Sequence, residues 1–312
     1  MVIWSFTAVL GQLISKSALI LVWYRLLIAC VALFLFLLFK KHSLKISTKQ
    51  IFQFLGIGAL VLLHWLCFYG SIKVSKISVA LIALSSITVF TGILDPVLNG
   101  RKVNWLEIIV GLIIFSGIIL IFKFEFRYAL GTFLGLIAAF LASLFTIFNS
   151  WEAKKNNSIV VSFYELLGGF LLLTFYLGYQ KQLNEINLTL ISSDLIYLLI
   201  LGIICTAVAY VMGIAVMRTL SPFTVNLITS LEPVYGIVLA FLIFGKSEAM
   251  RPGFYVGALV ILITIFSYPL LKNKLKSKLK YKFENTEGDL LGKTAEKPLE
   301  NPLLETQRII LP

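Results

Sequence analysis

The sequence predicts an all-α membrane protein, with ten transmembrane helices arranged as two inverted five-helix repeats. Three observations predict this. Hydrophobic residues make up 59% of the 312 residues and charged residues 13%, about half the roughly 25% of an ordinary soluble domain, and mean hydropathy is +0.95. The apolar residues gather into ten stretches, against the roughly 20 residues a helix needs to cross the hydrocarbon core. Polar landmarks of the first half recur in the second.

The first stretch, Met1–Ser15, starts inside an apolar run and has neither a basic leading region nor a small-residue cleavage site. It reads as a spanning helix with a clipped start instead of a signal peptide. Ala18–Phe39 follows, between Lys16 and Lys40, and carries Tyr24 and Arg25. Ile51–Ile72 lies beyond the loop "KKHSLKISTK" and carries His64 and Trp65. Ile77–Leu98 is set off by Lys76 and Asn99, and Trp105–Phe122 by Lys102 and Lys123. Thr132–Trp151 is bounded by Gly131 and Lys154, and Ile159–Tyr179 by Asn157 and Lys181. Leu195–Met217 stops at Arg218, Pro222–Phe244 at Gly245, and Gly253–Leu271 at Lys272. Helices follow, not barrel strands, because each run exceeds a spanning strand and lacks polar alternation.

Cys30, Cys67 and Cys205 all fall inside these runs, without a CxxC pair, a pattern that fits neither a disulfide framework nor a zinc site. The net charge of +12 sits at membrane edges and in "KNKLKSKLKYK", Lys272 to Lys282. Such a run suits anionic lipid headgroups, not nucleic acid. With the N-terminus inside, the inner connections carry nine basic residues and the outer ones eight before the six tail lysines are added. The positive-inside rule therefore puts both termini in the cytoplasm on the strength of the tail and the Lys40–Lys49 loop. Beyond Lys282 the chain is polar and contains proline, and it is expected to be disordered.

"YRLLIA" at Tyr24–Ala29 lies on "YELLGG" at Tyr164–Gly169, with Arg25 where Glu165 sits. After one loop insertion, "ISTKQIF" (Ile46–Phe52) aligns with "ISSDLIY" (Ile191–Tyr197), and the register carries Lys73 onto Arg218 and Gly100 onto Gly245 without a gap. The expected units are residues 1–127 and 128–271, followed by a basic juxtamembrane segment and tail at 272–312. Tandem units with an odd number of spans insert in opposite directions, which places a site at their interface near mid-membrane.

The stretches "VWYRLLIA", "LHWLCFYGSIKVSKISVALIALSS" and "LITSLEPVYGIVLAFLIFGKSE" give the chain a family likeness. It resembles the EamA branch of the drug/metabolite transporter superfamily over about Trp4 to Leu271. The resemblance implies a ten-helix bundle of two EamA repeats working as a secondary transporter, commonly an exporter of amino acids or other small metabolites. This chain departs from the family's frequent Gly-Glu after the ninth helix: it has Gly245–Lys246, with Glu248 two residues on.

A charge at a helix centre costs about 2.5–3.5 kcal/mol on insertion scales, so each such residue is expected to face the bundle interior or water. At about 1.5 Å per residue, Glu232 lies about 15 Å into its span and His64 about 20 Å into its own. Arg25 and Glu165 lie two turns from opposite ends of their helices and are not expected to pair. Arg25 either snorkels to the headgroups or lines a vestibule. His64, beside Trp65, is either proton-responsive or a neutral donor to a neighbouring helix. Tyr24, Tyr164 and Tyr210 are expected to pack, or to stack on substrate at cavity depth. Ser85, Ser86 and Asn226 offer hydrogen bonds, ordinarily as glue between helices.

Pro233 removes a backbone donor, so the ninth helix is expected to kink at mid-membrane beside Glu232 and leave the Thr229 carbonyl without its usual partner, at the cavity. The carboxylate is then either an acceptor for His64 or a serine of the fourth span, or a site for a substrate amine or a proton. Together these residues form the expected substrate-binding set. No cofactor, metal or nucleic acid is implied. The function expected is a secondary transporter, probed against two alternatives: a lipid flippase of the same fold, and an integral membrane enzyme using Glu232 and His64 as acid and base.

Overall fold

A computed structural model of the chain describes residues 2–102, 105–124, 126–182, 186 and 192–295. Among these, every regular element is helical. In chain order they are α1 (Val2–Leu13), α2 (Ala18–Phe39), α3 (Thr48–Val74), α4 (Ile77–Leu84), α5 (Ile87–Leu98), α6 (Trp105–Phe124), α7 (Ala129–Ala153) and α8 (Ser158–Tyr179). Then come α9 (Ser192–Leu199), a π-helical segment (Ile200–Val208), α10 (Ala209–Val216), α11 (Pro222–Thr229), α12 (Glu232–Phe244) and α13 (Pro252–Ala295).

Eight segments among the described residues are long and apolar enough to cross a membrane. Their outward faces carry Leu35, Phe39, Phe175 and Leu242, all well exposed, as hydrocarbon solvent requires. The protein is an integral, multi-pass membrane protein. Two further apolar helices are shorter: α1 has 12 residues, about 18 Å of helix, and the apolar part of α6 among the described residues is Trp105–Ile121.

Local chemistry sets the ends. Ser47 and Gln50 form a reciprocal capping box at the start of α3, with Gln50 N donating to Ser47 Oγ at 3.3 Å and Ser47 N to Gln50 Oε1 at 3.0 Å. Asn157 accepts from Ile159 N at 2.9 Å to open α8, and Ser221 accepts from Thr224 N at 3.2 Å to open α11. α2 and α8 stop alike: Lys41 (φ 52°) and Lys181 (φ 56°) turn left-handed, and the next amides, of His42 and Gln182, donate to Leu37 and Leu177 carbonyls at 3.0 and 2.9 Å. That closure satisfies carbonyls a helix end otherwise leaves open. Gly100 (φ 64°) and Gly245 (φ 58°) end α5 and α12, where a side chain would be strained.

The chain falls into two compact units, Met1–Ile265 and Phe266–Pro312. In the first unit, α3 lies along α7 and α8, α2 along α8 and the π segment, α1 against α12, α12 against α4, and α11 against α5. The α3–α8 crossing is tight because Gly58 sets its backbone against the Glu165 carbonyl, where a Cβ would collide. The second unit contains the remainder of α13, with Pro269 inside the helix. Phe283 to Ala295, expected to be disordered, is helical there; its Leu, Lys and Glu residues favour helix. Residues 296–312 lie outside the described residues.

Candidate functional site

Two membrane helices are interrupted where the register aligns the halves. α4 gives way to α5 at Ser85–Ser86, and α11 to α12 at Ser230–Leu231. In the first break the Ser85 and Ser86 hydroxyls donate back to the Ile82 and Ala83 carbonyls. In the second the hydroxyl of Ser230 reaches across to the first: it lies 2.5 Å from Thr88 Oγ1 and 3.2 Å from the Ser85 carbonyl. Asn226 donates to Thr91 Oγ1 at 2.7 Å, and Thr91 to Ser143 Oγ at 3.0 Å. The two breaks are thus bonded directly to each other. Ser5 of α1 donates to the Glu232 carbonyl at 3.3 Å, which ties α1 to the start of α12.

Next to this junction lies a cavity of ≈ 90 Å³. Arg25, His64, Trp65, Tyr210, Asn226 and Glu232 of the expected set line it, joined by Trp4, Thr7, Asn149 and Cys205. Tyr24, Ser85, Ser86, Tyr164 and Glu165 do not. Tyr24 packs edge-on against Trp23, and the Tyr164 hydroxyl donates to the Leu44 carbonyl at 2.8 Å.

Arg25 does not snorkel. It is 2% exposed, with Nε donating to Thr206 Oγ1 at 2.6 Å and Nη1 to the Tyr69 hydroxyl at 2.8 Å. Its guanidinium carbon stands 3.8 Å from the Trp65 ring centre. Hydrogen bonds from a charged donor contribute about 1.5–3 kcal/mol each and a desolvated cation–π contact about 2 kcal/mol, enough to offset the burial of the charge. The π segment makes the arrangement possible. Thr206 Oγ1 donates to the Leu201 carbonyl, five residues back, at 2.6 Å, which leaves the hydroxyl oxygen to accept from Arg25. Such π insertions recur at functional sites.

Glu232 forms the opposite pole. Its side chain is buried at the cavity, yet its carboxylate has neither a hydrogen-bond nor an ion-pair partner among the described residues. The expected tie to His64 or a fourth-span serine is absent: His64 Nδ1 donates to the Ala138 carbonyl at 2.8 Å, and the serines bond within their own turn. A carbonyl only accepts, so Nδ1 carries the proton. His64 also stacks near Phe68 and meets Phe145 edge-on, at 6.2 and 5.4 Å.

Behind the cavity wall, Glu165 is completely buried. Tyr210 donates to its Oε2 at 2.6 Å and Asn149 Nδ2 to the same oxygen at 3.2 Å. The register that aligns Arg25 with Glu165 also aligns Trp65 with Tyr210, and these two rings meet edge-on at 6.3 Å.

Sequence reasoning missed Thr206, Tyr69 and Asn149. Tyr69 follows Trp65 by one helical turn and shares its face, which was readable. Asn149, in "IFNSW", stands out as an amide near the end of an apolar run. Thr206 was not readable, because its direction depends on the π segment.

Arg25 and Glu232 thus line one cavity inside a multi-pass helical bundle. A family model described as the EamA-like transporter family matches residues 1–123 and 129–270, and the chain belongs to that family, within the drug/metabolite transporter superfamily. It is 26% identical over 191 residues to "Uncharacterized transporter sll1164" of Synechocystis sp., a match covering 56% of this chain. The matched region spans about half, 52%, of that relative's length. A solved structure named only as the crystal structure of a protein matches with a TM-score of 0.64 at 14% identity, covering 86% of this chain and 94% of the other. That likeness concerns the fold. The family and the relative's name point to a transporter, not an enzyme.

Proposed function

We propose that the protein is a secondary transporter of an amino-acid-like zwitterion, bound between Arg25 and Glu232 and exposed alternately to the two sides of the membrane. The observation that carries this is the pairing of a held guanidinium with an unpartnered carboxylate around one cavity. Arg25 grips the substrate carboxylate, Glu232 its ammonium, and His64, Trp65, Tyr210 and Asn226 shape the space between. The architecture proposed is ten helices in two inverted repeats, residues 1–127 and 128–271, with α1 and α6 as the shorter members. The paired helix breaks, the repeated closures at Lys41 and Lys181, and the two matched stretches of the family model support that reading. Both termini lie in the cytoplasm, the basic tail rests on anionic lipid of the plasma membrane, and net movement is outward.

Counterflow in proteoliposomes with a panel of tritiated amino acids tests it. Arg25→Ala and Glu232→Gln are each expected to weaken half-saturation ~10–100-fold, since a charged hydrogen bond of about 1.5–3 kcal/mol corresponds to about one to two powers of ten. Arg25→Lys retains part of the activity. No counterflow of any amino acid by monodisperse wild-type protein, or equal activity of the two Arg25 variants, rejects it.

One observation favours a second reading, a lipid flippase of the same fold. A pocket of ≈ 170 Å³, lined by apolar side chains such as Ile3, Met212 and Ile228, shares Trp4, Gly213 and Val225 with the cavity, as a lateral entrance for acyl chains would. Scrambling of a labelled phospholipid in the same vesicles, without amino-acid counterflow, selects that reading.

A further inference from the structure

Four side-chain atoms of the described residues are buried without a hydrogen-bond partner: Thr7 Oγ1, Ser158 Oγ, Asn149 Oδ1 and Glu165 Oε1. The last two belong to residues already bonded to each other. Asn149 Nδ2 donates to Glu165 Oε2 at 3.2 Å and to the Tyr210 hydroxyl at 3.1 Å, and Tyr210 donates to the same Oε2 at 2.6 Å. One carboxylate oxygen takes two donors and the other takes none. Both residues are completely buried.

We propose that Glu165 is a proton-binding site separate from the substrate cavity, with the proton on Oε1, Asn149 Oδ1 as its acceptor, and the Tyr210 hydroxyl as its contact with the cavity. The inference stands on what is missing. Two acceptors without a donor flank one amide–carboxyl bond, and one proton supplies the donor that both lack. Acid and amide then pair reciprocally, N–H to Oε2 and Oε1–H to Oδ1. An ionised Glu165 would instead leave a charge with an unserved oxygen in the membrane interior, where such groups are paired or satisfied.

The surroundings agree from each side. α7 presents Asn149 and, further along, Glu152, a carboxylate bonded to Asn156 that adds negative charge and no donor to Glu165. α10 presents Tyr210. α3 presents the backbone at Gly58. The charged residue of α2, Arg25, is committed to Thr206, Tyr69 and Trp65. Glu165 has no ion-pair partner among the described residues. A hard metal cation gathers roughly six to eight oxygens, and this pocket offers two unsatisfied ones, so the proton is the ligand that fits. Tyr210 and Asn149 line the cavity while Glu165 does not, so the proton is one hydroxyl removed from the substrate space. On the transporter reading, this gives the cycle a second ligand whose release is felt at the cavity through Tyr210.

Infrared difference spectroscopy of the purified protein tests the site without any substrate. Near neutral pH, wild type minus Glu165→Gln is expected to show the carbonyl stretch of a protonated carboxylic acid, a band that shifts in deuterium oxide. Glu232→Gln retains the Glu165 band, and in Tyr210→Phe it moves to higher frequency as the bond to Oε2 is lost. A wild-type minus Glu165→Gln spectrum without that band overturns the proposal, as does a band unmoved by Tyr210→Phe. A glutamine preserves the donor–acceptor shape, so monodispersity and an unchanged amide spectrum show that the variant is folded. If counterflow fails for every amino acid while the band behaves as described, the substrate reading falls and the proton site stands.

Discussion

Arg25 with Trp65 in the first half and Glu165 with Tyr210 in the second occupy aligned places in the sequence, and they solve the burial of a charge in opposite ways. Arg25 is pinned by two hydrogen bonds and an aromatic face, and it remains at the cavity. Glu165 is withdrawn behind the wall, half satisfied, and meets the cavity through its bonds to Tyr210 and Asn149, which line it. A guanidinium has five donors in a fixed fork and stays charged, so it can be pinned and still serve a ligand. A carboxyl group can drop its charge by taking a proton, so it can be hidden. On the proposed reading, these aligned positions divide between holding a substrate and holding a proton.

The largest effect that would test this division is on Trp65. Trp65→Ala removes the ring beneath the guanidinium and its edge contact with Tyr210. A loss of about 3–5 kcal/mol is expected from the cavity created plus about 2 kcal/mol from the cation–π contact. Trp65→Phe keeps a face for Arg25 and should recover the second part. Reversible unfolding in mixed micelles measures both, and equal losses in the two variants would show that Trp65 is only filling space.

Smaller is the effect of Tyr210→Phe, which keeps the ring and deletes the hydroxyl. Glu165 Oε2 then retains only the Asn149 bond, and a loss of about 1–3 kcal/mol follows from the unmet hydrogen bond. Because the Trp65 and Tyr210 rings touch, the double variant should depart from additivity by about 0.5 kcal/mol or more. Strict additivity would mean that the two halves of the network are independent.

Much of this was legible from residue type and spacing. Apolar run length located the helices, because hydrocarbon leaves few alternatives. Pro233 announced the break in the ninth span, because a missing donor has a local consequence. The Ser85–Ser86 break was hidden, since serines in membrane helices commonly bond to their own turn. Depth along a helix placed Arg25, Glu165 and Glu232 in the membrane without telling which of them faces the cavity. That depends on helix rotation and on the π segment, which shifts Thr206 relative to a regular helix and gives Arg25 a partner. Tyr24 and Tyr164 show the same limit: each neighbours a charged residue in sequence, and on a helix adjacent residues point in different directions.

The smallest effect separates the two helix breaks. Ser85 and Ser230 occupy aligned positions, but the Ser85 hydroxyl bonds within its own turn while that of Ser230 meets Thr88, the Ser85 carbonyl and the Asn226 carbonyl. A hydroxyl has one proton, so Ser230 donates to one carbonyl while accepting from Thr88. Ser230→Ala leaves Thr88 a long contact of 3.4 Å to the Asn226 carbonyl as its alternative, so part of the bond is regained and the loss should be about 1 kcal/mol. Ser85→Ala removes a bond that competes with the helix's own ladder and should cost less than about 0.5 kcal/mol. The contrast extends to kinetics, since of these two serine hydroxyls it is that of Ser230 that joins the two broken helices. Counterflow rate should change in Ser230→Ala and remain at the wild-type value in Ser85→Ala. If the two alanine variants match in both stability and rate, the hydroxyl bridge between the breaks contributes nothing that its local bond does not.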